Sequence, residues 1–482
     1  LSTGNFLKRQ SDESAYSQVV MTFHSARPTR QPYEENTPAG PTVGENPAAE
    51  ATPAAHDITL DRAIARARRR LVPFLLLMYV ISFLDRANIG FAKQALQQYA
   101  GISSRAYALA AGLFFISYAL FELPSNLILH RIGAKVWMAR IMVTWGVVSM
   151  ATMLVVGSRS FYVLRLLLGV AEAGFFPGVI LYLTYWFPSR VRAEIFGLFY
   201  LGAPLAFIFG GPVSGLLLQM HSIGSLQGWQ CMFLAEGGLA VLVGVWAYWF
   251  LDNRPSEADW LSSEEKDALA SALVGEETRR DARHSTTILT VLKDTRMLQF
   301  VGIYFLIQMS VYGVVFYLPS EIGEILRKPT GIEVGIVSSI PWVCALAGTL
   351  WLPRLATRLK QNAFIAAMIL LAAGIASCLF PLLGPRASFA ALCIAATGFI
   401  AVQPLFWTFP ASYLSDKTAA GGLAIINAIG AFGGFVAPNI KAWADIYFRS
   451  QRAGLFVLAA ATLLSAGMIA VLGRENHREI VV

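Results

Sequence analysis

The sequence predicts an all-α membrane protein of twelve transmembrane helices arranged as two bundles of six, and three observations lead there. The first is composition: 56% of the 482 residues are hydrophobic and 14% are charged, against roughly 25% charge in a soluble domain, and the mean hydropathy is +0.55. The second is that apolar runs of about 20 residues recur, each long enough to cross a hydrocarbon core of about 30 Å. The third is a single long polar interruption, residues 252–294, which divides six of these runs from six.

The runs lie near 71–92, 107–129, 137–157, 161–186, 194–219, 229–251, 296–320, 333–353, 362–381, 388–411, 419–441 and 451–473. Halves of similar size suggest a duplicated bundle with a cavity between its two parts. Residues 1–58, rich in Pro, Ala, Ser, Glu and Thr without periodicity, read as a disordered tail. The chain opens on Leu1 with a Met at position 21, which reads as a matter of start-site choice. The organisation expected is therefore a bundle over 59–251, a cytoplasmic linker over 252–295, a second bundle over 296–475 and a short tail over 476–482.

Basic residues set the orientation. Arg62, Arg66, Arg68, Arg69 and Arg70 precede the first run, and the same side receives Arg131, Lys135, Arg190, Arg192, Arg279, Arg280, Arg283, Arg354, Arg358, Lys360, Arg474 and Arg478. By the positive-inside rule this side is cytoplasmic and holds both termini, in a plasma membrane of the bacterial inner-membrane kind. The +8 formal charge is explained by this asymmetry and calls for no nucleic-acid partner. Cys231, Cys344, Cys378 and Cys393 lie in apolar runs without metal-ligand spacing and read as packing residues. The chain has no dinucleotide fingerprint, phosphate loop or HExxH stretch, and the other polar loops are short, so neither an enzyme nor a cofactor or metal is expected.

Charged groups inside the runs carry the functional signal, because an ionised side chain there is costly and is kept for a reason. "MYVISFLDRANIGFA" (78–92) sets Asp85 beside Arg86, about 21 Å along the first helix if that helix starts near Leu71. Adjacent residues point about 100° apart, so the two need not pair with each other. Arg86 offers a planar fork suited to a carboxylate, and Asp85 can exchange a proton. A second acid, Glu172, sits about 16 Å into the fourth run. Two titratable acids around an arginine point to a proton-coupled anion carrier.

The remaining polar groups fill in around these three. Gly169, Gly174, Gly178 and Pro177 near Glu172, and the glycines and prolines of "GLFYLGAPLAFIFGGPVSG", allow close helix approach and bending. Gln308, Gln403, Trp407 and Asn427 in the second half offer amide and indole partners for a hydroxylated anion, with Tyr118 facing the cavity from the first half. Glu122, Asn126 and Arg131 form a gate or a structural network at the cytoplasmic end of the second run, and Glu236 reads as structural.

The stretches "FLDRANIGFA", "LFELPSN", "RLLLGVAEAGFFPGVILYLTYWFP", "GWQCMFLAEG", "FLDNRPSEADWLSSEEK" and the region "FWTFPASYLS" through "IKAWAD" resemble the anion:cation symporters of the major facilitator superfamily, which include tartrate, sugar-acid and 4-hydroxyphenylacetate permeases. The resemblance covers about 70–475. It implies two six-helix halves that alternate access around a central site and import an organic anion with protons. It also implies proton coupling at Asp85 and Glu172, a substrate site at Arg86, and weaker carry-overs onto Tyr118 and Gln403. "SNLILHRIGAKV" departs from the superfamily loop, with His130 in the place of the usual aspartate while Arg131, Gly133 and Lys135 persist.

The expected function is a monomeric proton symporter importing a small organic carboxylate, a hydroxylated dicarboxylate or aldonate such as tartrate or galactonate. The alternatives are an aromatic acid such as 4-hydroxyphenylacetate as substrate, an anion exchanger or uniporter of the same fold, a drug or cation exporter, and a membrane sensor without flux.

Overall fold

The computed structural model describes residues 53–220, 226–280, 294–414 and 419–481. The tail expected over 1–58 falls outside these residues up to 52, but its last part is helical: the first helix begins at Pro53. The side chain of His130 and the linker residues 281–293 also lie outside what is described.

Among the described residues the regular structure is helical, in the order α1 Pro53–Tyr99, α2 Ser104–Ile132, α3 Ala134–Ala151, α4 Gly157–Glu172, α5 Phe175–Trp186, α6 Ser189–Tyr200, α7 Gly202–Gln219, α8 Gly228–Phe250, α9 Ser263–Arg280, α10 Thr295–Leu326, α11 Ile332–Leu359, α12 Asn362–Leu379, α13 Pro385–Tyr413, α14 Ala419–Tyr447 and α15 Ala453–Val481. Eleven spans in this set are long and apolar enough to cross a membrane, with α4–α5 and α6–α7 each counting as one. The twelfth expected crossing is occupied by α14. Ser103 caps α2 by accepting from the Ala106 N–H at 3.1 Å. Asp294 caps α10 by accepting from the Arg296 and Met297 N–H groups. Such caps satisfy donors that a helix end leaves unpaired.

Two runs that look continuous in the sequence are broken. The fourth stops at Glu172 and restarts after Gly174, whose φ is +84°. The fifth is interrupted at Leu201. A Cβ at Gly174 would meet Ser125 Oγ at 2.4 Å, so this left-handed position and its contact with α2 both require glycine.

The 252–294 interruption is more than a polar connector. Trp260 stacks on Trp186 with centroids 5.4 Å apart, and its Nε1 donates to Asp252 Oδ2 at 2.8 Å. Arg66 of α1 pairs with the buried Glu265 of α9 at 2.7 Å. Leu261, Ala268 and Leu269 are buried as well, so this stretch is folded onto the base of the first bundle.

Successive spans run back and forth, so that among the described residues the start of α1, the α8–α9 connection and the end of α15, called here the chain-end face, lie opposite the loops near 100–103, 155–156 and 327–331. The halves meet through α7 against α11, α2 against α14 and α1 against α10. A Cβ on Gly335 would lie 2.1 Å from the Gly211 carbonyl oxygen, and one on Gly215 would lie 2.4 Å from that of Gly331. Ser339 Oγ donates to the Ile208 carbonyl at 2.7 Å, and Phe207 packs on Trp342 at 4.3 Å. Tyr107 OH, from α2, donates to the Phe316 carbonyl at 3.3 Å. The ring of Tyr317 lies between Lys93 Nζ at 4.7 Å and Lys441 Nζ at 4.4 Å, and Lys441 pairs with Asp445 at 2.9 Å. These contacts run from the middle of the helices to the face opposite the chain ends.

Gly335→Val places atoms where the α7 backbone lies. The expected outcome is a wider separation of the halves on that face, read as a longer distance between spin labels at Met220 and Lys328.

Candidate substrate and proton site

The register of α1 divides its polar residues between two environments. Ser82 and Arg86 are four residues apart and share one side, while Asp85 and Asn88 share another. Along the first side, Glu172 Oε1 accepts from Ser82 Oγ at 2.6 Å, from Arg86 Nε at 2.8 Å and from Arg86 Nη2 at 2.6 Å. Glu172 is fully buried and the Arg86 side chain is 11% exposed. The guanidinium also lies 5.0 Å from the Phe83 ring, 5.3 Å from Phe114 and 5.1 Å from Tyr118. From the other half, Tyr312 OH accepts a long hydrogen bond from Arg86 Nη1 at 3.4 Å.

Glycine brings Glu172 this close. At Gly169, one turn before it, a Cβ would lie 2.1 Å from Ser117 Oγ and 2.3 Å from the Phe114 carbonyl, so α4 presses directly on α2. Arg165, two turns before Glu172 on the same side of α4, is buried over the Phe114 ring at 5.1 Å, and its Nε has no hydrogen-bond partner.

Asp85 does not pair with Arg86. Its Oδ1 accepts from Asn88 Nδ2 at 3.0 Å and from Ser149 Oγ of α3. The neighbouring letters of the DR pair thus serve different surroundings, one at the contact between halves and one inside the first bundle.

The other residues singled out from the sequence are spread around this centre. Tyr118 is buried beside Arg86. Gln308 lies one turn from Tyr312 on α10, and its Oε1 is buried without a partner. Trp407 packs on Tyr304, a further turn along α10, at 4.8 Å. Gln403 donates to the Phe399 carbonyl of its own helix at 3.3 Å, and Asn427 is half-buried on α14. Asn126 donates to the Glu122 carbonyl at 2.9 Å, which makes a local pair near the chain-end side, and Arg131 is exposed there. The four cysteines are free.

Ser82, Ser149, Arg165, Tyr304 and Tyr312 also belong to this neighbourhood and are not among the residues singled out from the sequence. Serines are common in membrane helices, and only their distance to a carboxylate distinguishes these two. Arg165 did carry a readable signal, a cation seven residues from Glu172 and therefore on its side of the helix. Tyr304, Gln308 and Tyr312 recur every four residues, a stripe along one side of α10.

The model of the Major Facilitator Superfamily matches residues 75–438. The chain belongs to that superfamily. Among its relatives is the inner membrane transport protein RhmT of Escherichia coli, 44% identical, with 85% of this chain and 95% of that protein aligned. A putative tartrate transporter of Agrobacterium vitis is 40% identical over 87% of this chain and 93% of its own. A quinolone resistance transporter of Acinetobacter baumannii is also 40% identical, over 82% and 91%. Among solved structures, a bacterial homologue of the human lysosomal transporter Spinster, in an inward-facing and unoccupied conformation, superposes with a TM-score of 0.67 at 14% identity, covering 84% of this chain and 97% of that one. In this major facilitator chain, as the helix order requires, the Arg86–Glu172 pair belongs wholly to the first half, and Tyr312 approaches it from the second.

Removing one partner of a buried ion pair leaves an uncompensated charge, at a cost of about 3–5 kcal/mol. Arg86→Ala should lower stability by about that amount, whereas Ser82→Ala, which deletes one hydrogen bond to a charged acceptor, should cost about 1.5–3 kcal/mol. Unfolding midpoints of the purified protein in detergent give both values. Equal effects would show that the serine and the arginine contribute alike.

Proposed function

We propose that this protein is a proton-coupled importer of a small organic acid anion, working by alternating access between its two halves in a bacterial inner membrane. The observation that carries the reading is Arg86, a guanidinium at the contact between halves whose charge is balanced by Glu172 of its own half. A substrate carboxylate and Glu172 compete for the same fork of donors. A proton on Glu172 frees Arg86 for the substrate, so proton and anion each favour binding of the other, which is the linkage a symporter needs. Asp85 is the second proton-carrying acid in this reading.

The groups around Arg86 favour a hydroxylated acid. Tyr118 and Tyr312 supply hydroxyl partners, Tyr79 lies within electrostatic reach of Arg86, Tyr200, Tyr304 and Tyr312, and the unpartnered Gln308 Oε1 lies one turn from Tyr312 on α10. The relative named as a tartrate transporter agrees with a hydroxylated dicarboxylate. With the basic residues taken to mark the chain-end face as cytoplasmic, the contacts between the halves fall on the exterior side, the arrangement expected of an inward-facing state. An aromatic acid is the second reading, favoured by the Phe83, Phe114 and Tyr118 rings around the guanidinium. The relative named for quinolone resistance keeps an aromatic acid in the test.

The test is uptake into proteoliposomes of labelled tartrate, galactonate, glucarate and 4-hydroxyphenylacetate, with an inward proton gradient and with the gradient collapsed. One acid should accumulate only with the gradient. Glu172→Gln should abolish that accumulation while exchange of labelled for unlabelled substrate persists. Accumulation indifferent to both the gradient and Glu172 would reassign the protein as an exchanger or uniporter.

A further inference from the structure

Five buried polar side chains from four helices form a second string inside the first bundle, on the Asp85 side of α1. They are Asp85 and Asn88 of α1, Ser149 of α3, Ser214 of α7 and Glu236 of α8, each at most 3% exposed. Ser149 Oγ and Asn88 Nδ2 donate to Asp85 Oδ1, and Ser214 Oγ donates to Glu236 Oε1 at 2.7 Å. The two pairs adjoin where α3 meets α8, since a Cβ on Gly237, next to Glu236, would lie 2.7 Å from the backbone N of Met150, next to Ser149, and Asn88 and Asp85 both lie within electrostatic reach of the Glu236 carboxyl. Asn88 therefore stands between two acids.

Three atoms of the string are buried without a partner: Asp85 Oδ2, Asn88 Oδ1 and Glu236 Oε2. All three are acceptors, so the string is short of hydrogens. The groups facing Glu236 are Ser214, Asn88 and Asp85, two neutral and one acidic, with no cation among them. Arg165 instead lies within electrostatic reach of Asp85 and Glu172, with Arg86 also near it. An ionised Glu236 would be an uncompensated charge beside another carboxylate, whereas an ionised Asp85, although it also faces the Glu172 carboxylate, has Ser149, Arg165 and Asn88 to stabilise it.

We propose that Asp85 and Glu236 share one proton, held on Glu236 in the state described, with Asn88 donating to whichever of the two is ionised. In the exchange the proton leaves Glu236 Oε2 and joins Asp85 Oδ2, the Asn88 amide turns its N–H from Asp85 to Glu236, and the net charge of the string is unchanged. Glu236 is then a positioning residue that sets the charge of Asp85 without touching substrate. This deepens the symport reading and rests on it.

The experiment combines infrared titration of the purified full-length protein with the pH dependence of gradient-driven uptake. Wild type should show a protonated-carboxyl band at neutral pH that is missing in Glu236→Gln. Ser214→Ala, which removes a hydrogen bond to the same carboxyl, should shift that band. Gln cannot lose the proton, so in Glu236→Gln the pH midpoint of uptake should move by about one unit or more, as expected for strongly interacting sites. Substrate affinity at saturating protonation is the control for the Arg86 site. A wild-type midpoint in Glu236→Gln, or a band insensitive to both substitutions, overturns the shared proton. Uptake that requires sodium at a fixed proton gradient overturns it in favour of a metal cation among the same oxygens. Absence of gradient-driven uptake in wild type counts against symport, while the band still decides the protonation of Glu236.

Discussion

Keeping a carboxylate and a guanidinium away from water in the middle of a helical bundle is the constraint around which this site is arranged. Each ion loses several kcal/mol of hydration, and their attraction repays this only with close geometry and other hydrogen bonds in place. Glu172 Oε1 meets three donors, and Arg86 is enclosed by three rings and a tyrosine hydroxyl. Such closeness demands that α4 approach α2 at Gly169 with no intervening side chain and that the helix end just beyond Glu172 at Gly174. The glycines around the acid therefore follow from the ion pair as much as from packing between helices.

A helix that must serve both the contact between the halves and the interior of its own bundle does so through its periodicity. Steps of four residues along α1 carry Ser82 and Arg86 to the contact between halves, and a step of three carries Asp85 and Asn88 into the bundle. The adjacency of Asp85 and Arg86 in the chain is thus a device for separating two charges rather than for pairing them. Each finds its counterpart elsewhere: Arg86 in Glu172, and Asp85 in two neutral donors with Arg165 near it.

The fold was legible because membrane helices advertise themselves in composition, and the division into halves showed in one polar interruption. The three charged residues at the centre stood out for the same reason, since an ionisable group in an apolar run is conspicuous. What the sequence concealed is local geometry. The break after Glu172 depends on a left-handed glycine, which looks like any other glycine among the many of this chain. Docking of Trp260 and Glu265 onto the first bundle is a tertiary event with no periodic trace in a polar stretch. Tyr312 was hidden among aromatic neighbours, and only the approach of α10 to α1 distinguishes it from packing residues such as Phe316.

Both members of the ion pair lie on one bundle, and this bears on how charge and motion can be linked. A rocking movement of the halves changes the distance from Arg86 to Tyr312 but leaves the contacts of Arg86 with Glu172 and Ser82 intact, because those belong to helices that move together. Had the pair spanned the two halves, every cycle would need to break a buried salt bridge, at about 3–5 kcal/mol when a partner is withdrawn. With the pair inside one half, movement alone is not enough to change it, and only a group that competes for Arg86 or neutralises Glu172 does so. The 3.4 Å contact to Tyr312 is weak enough to be broken and remade by that movement, yet near enough for the second half to respond to whatever occupies the arginine.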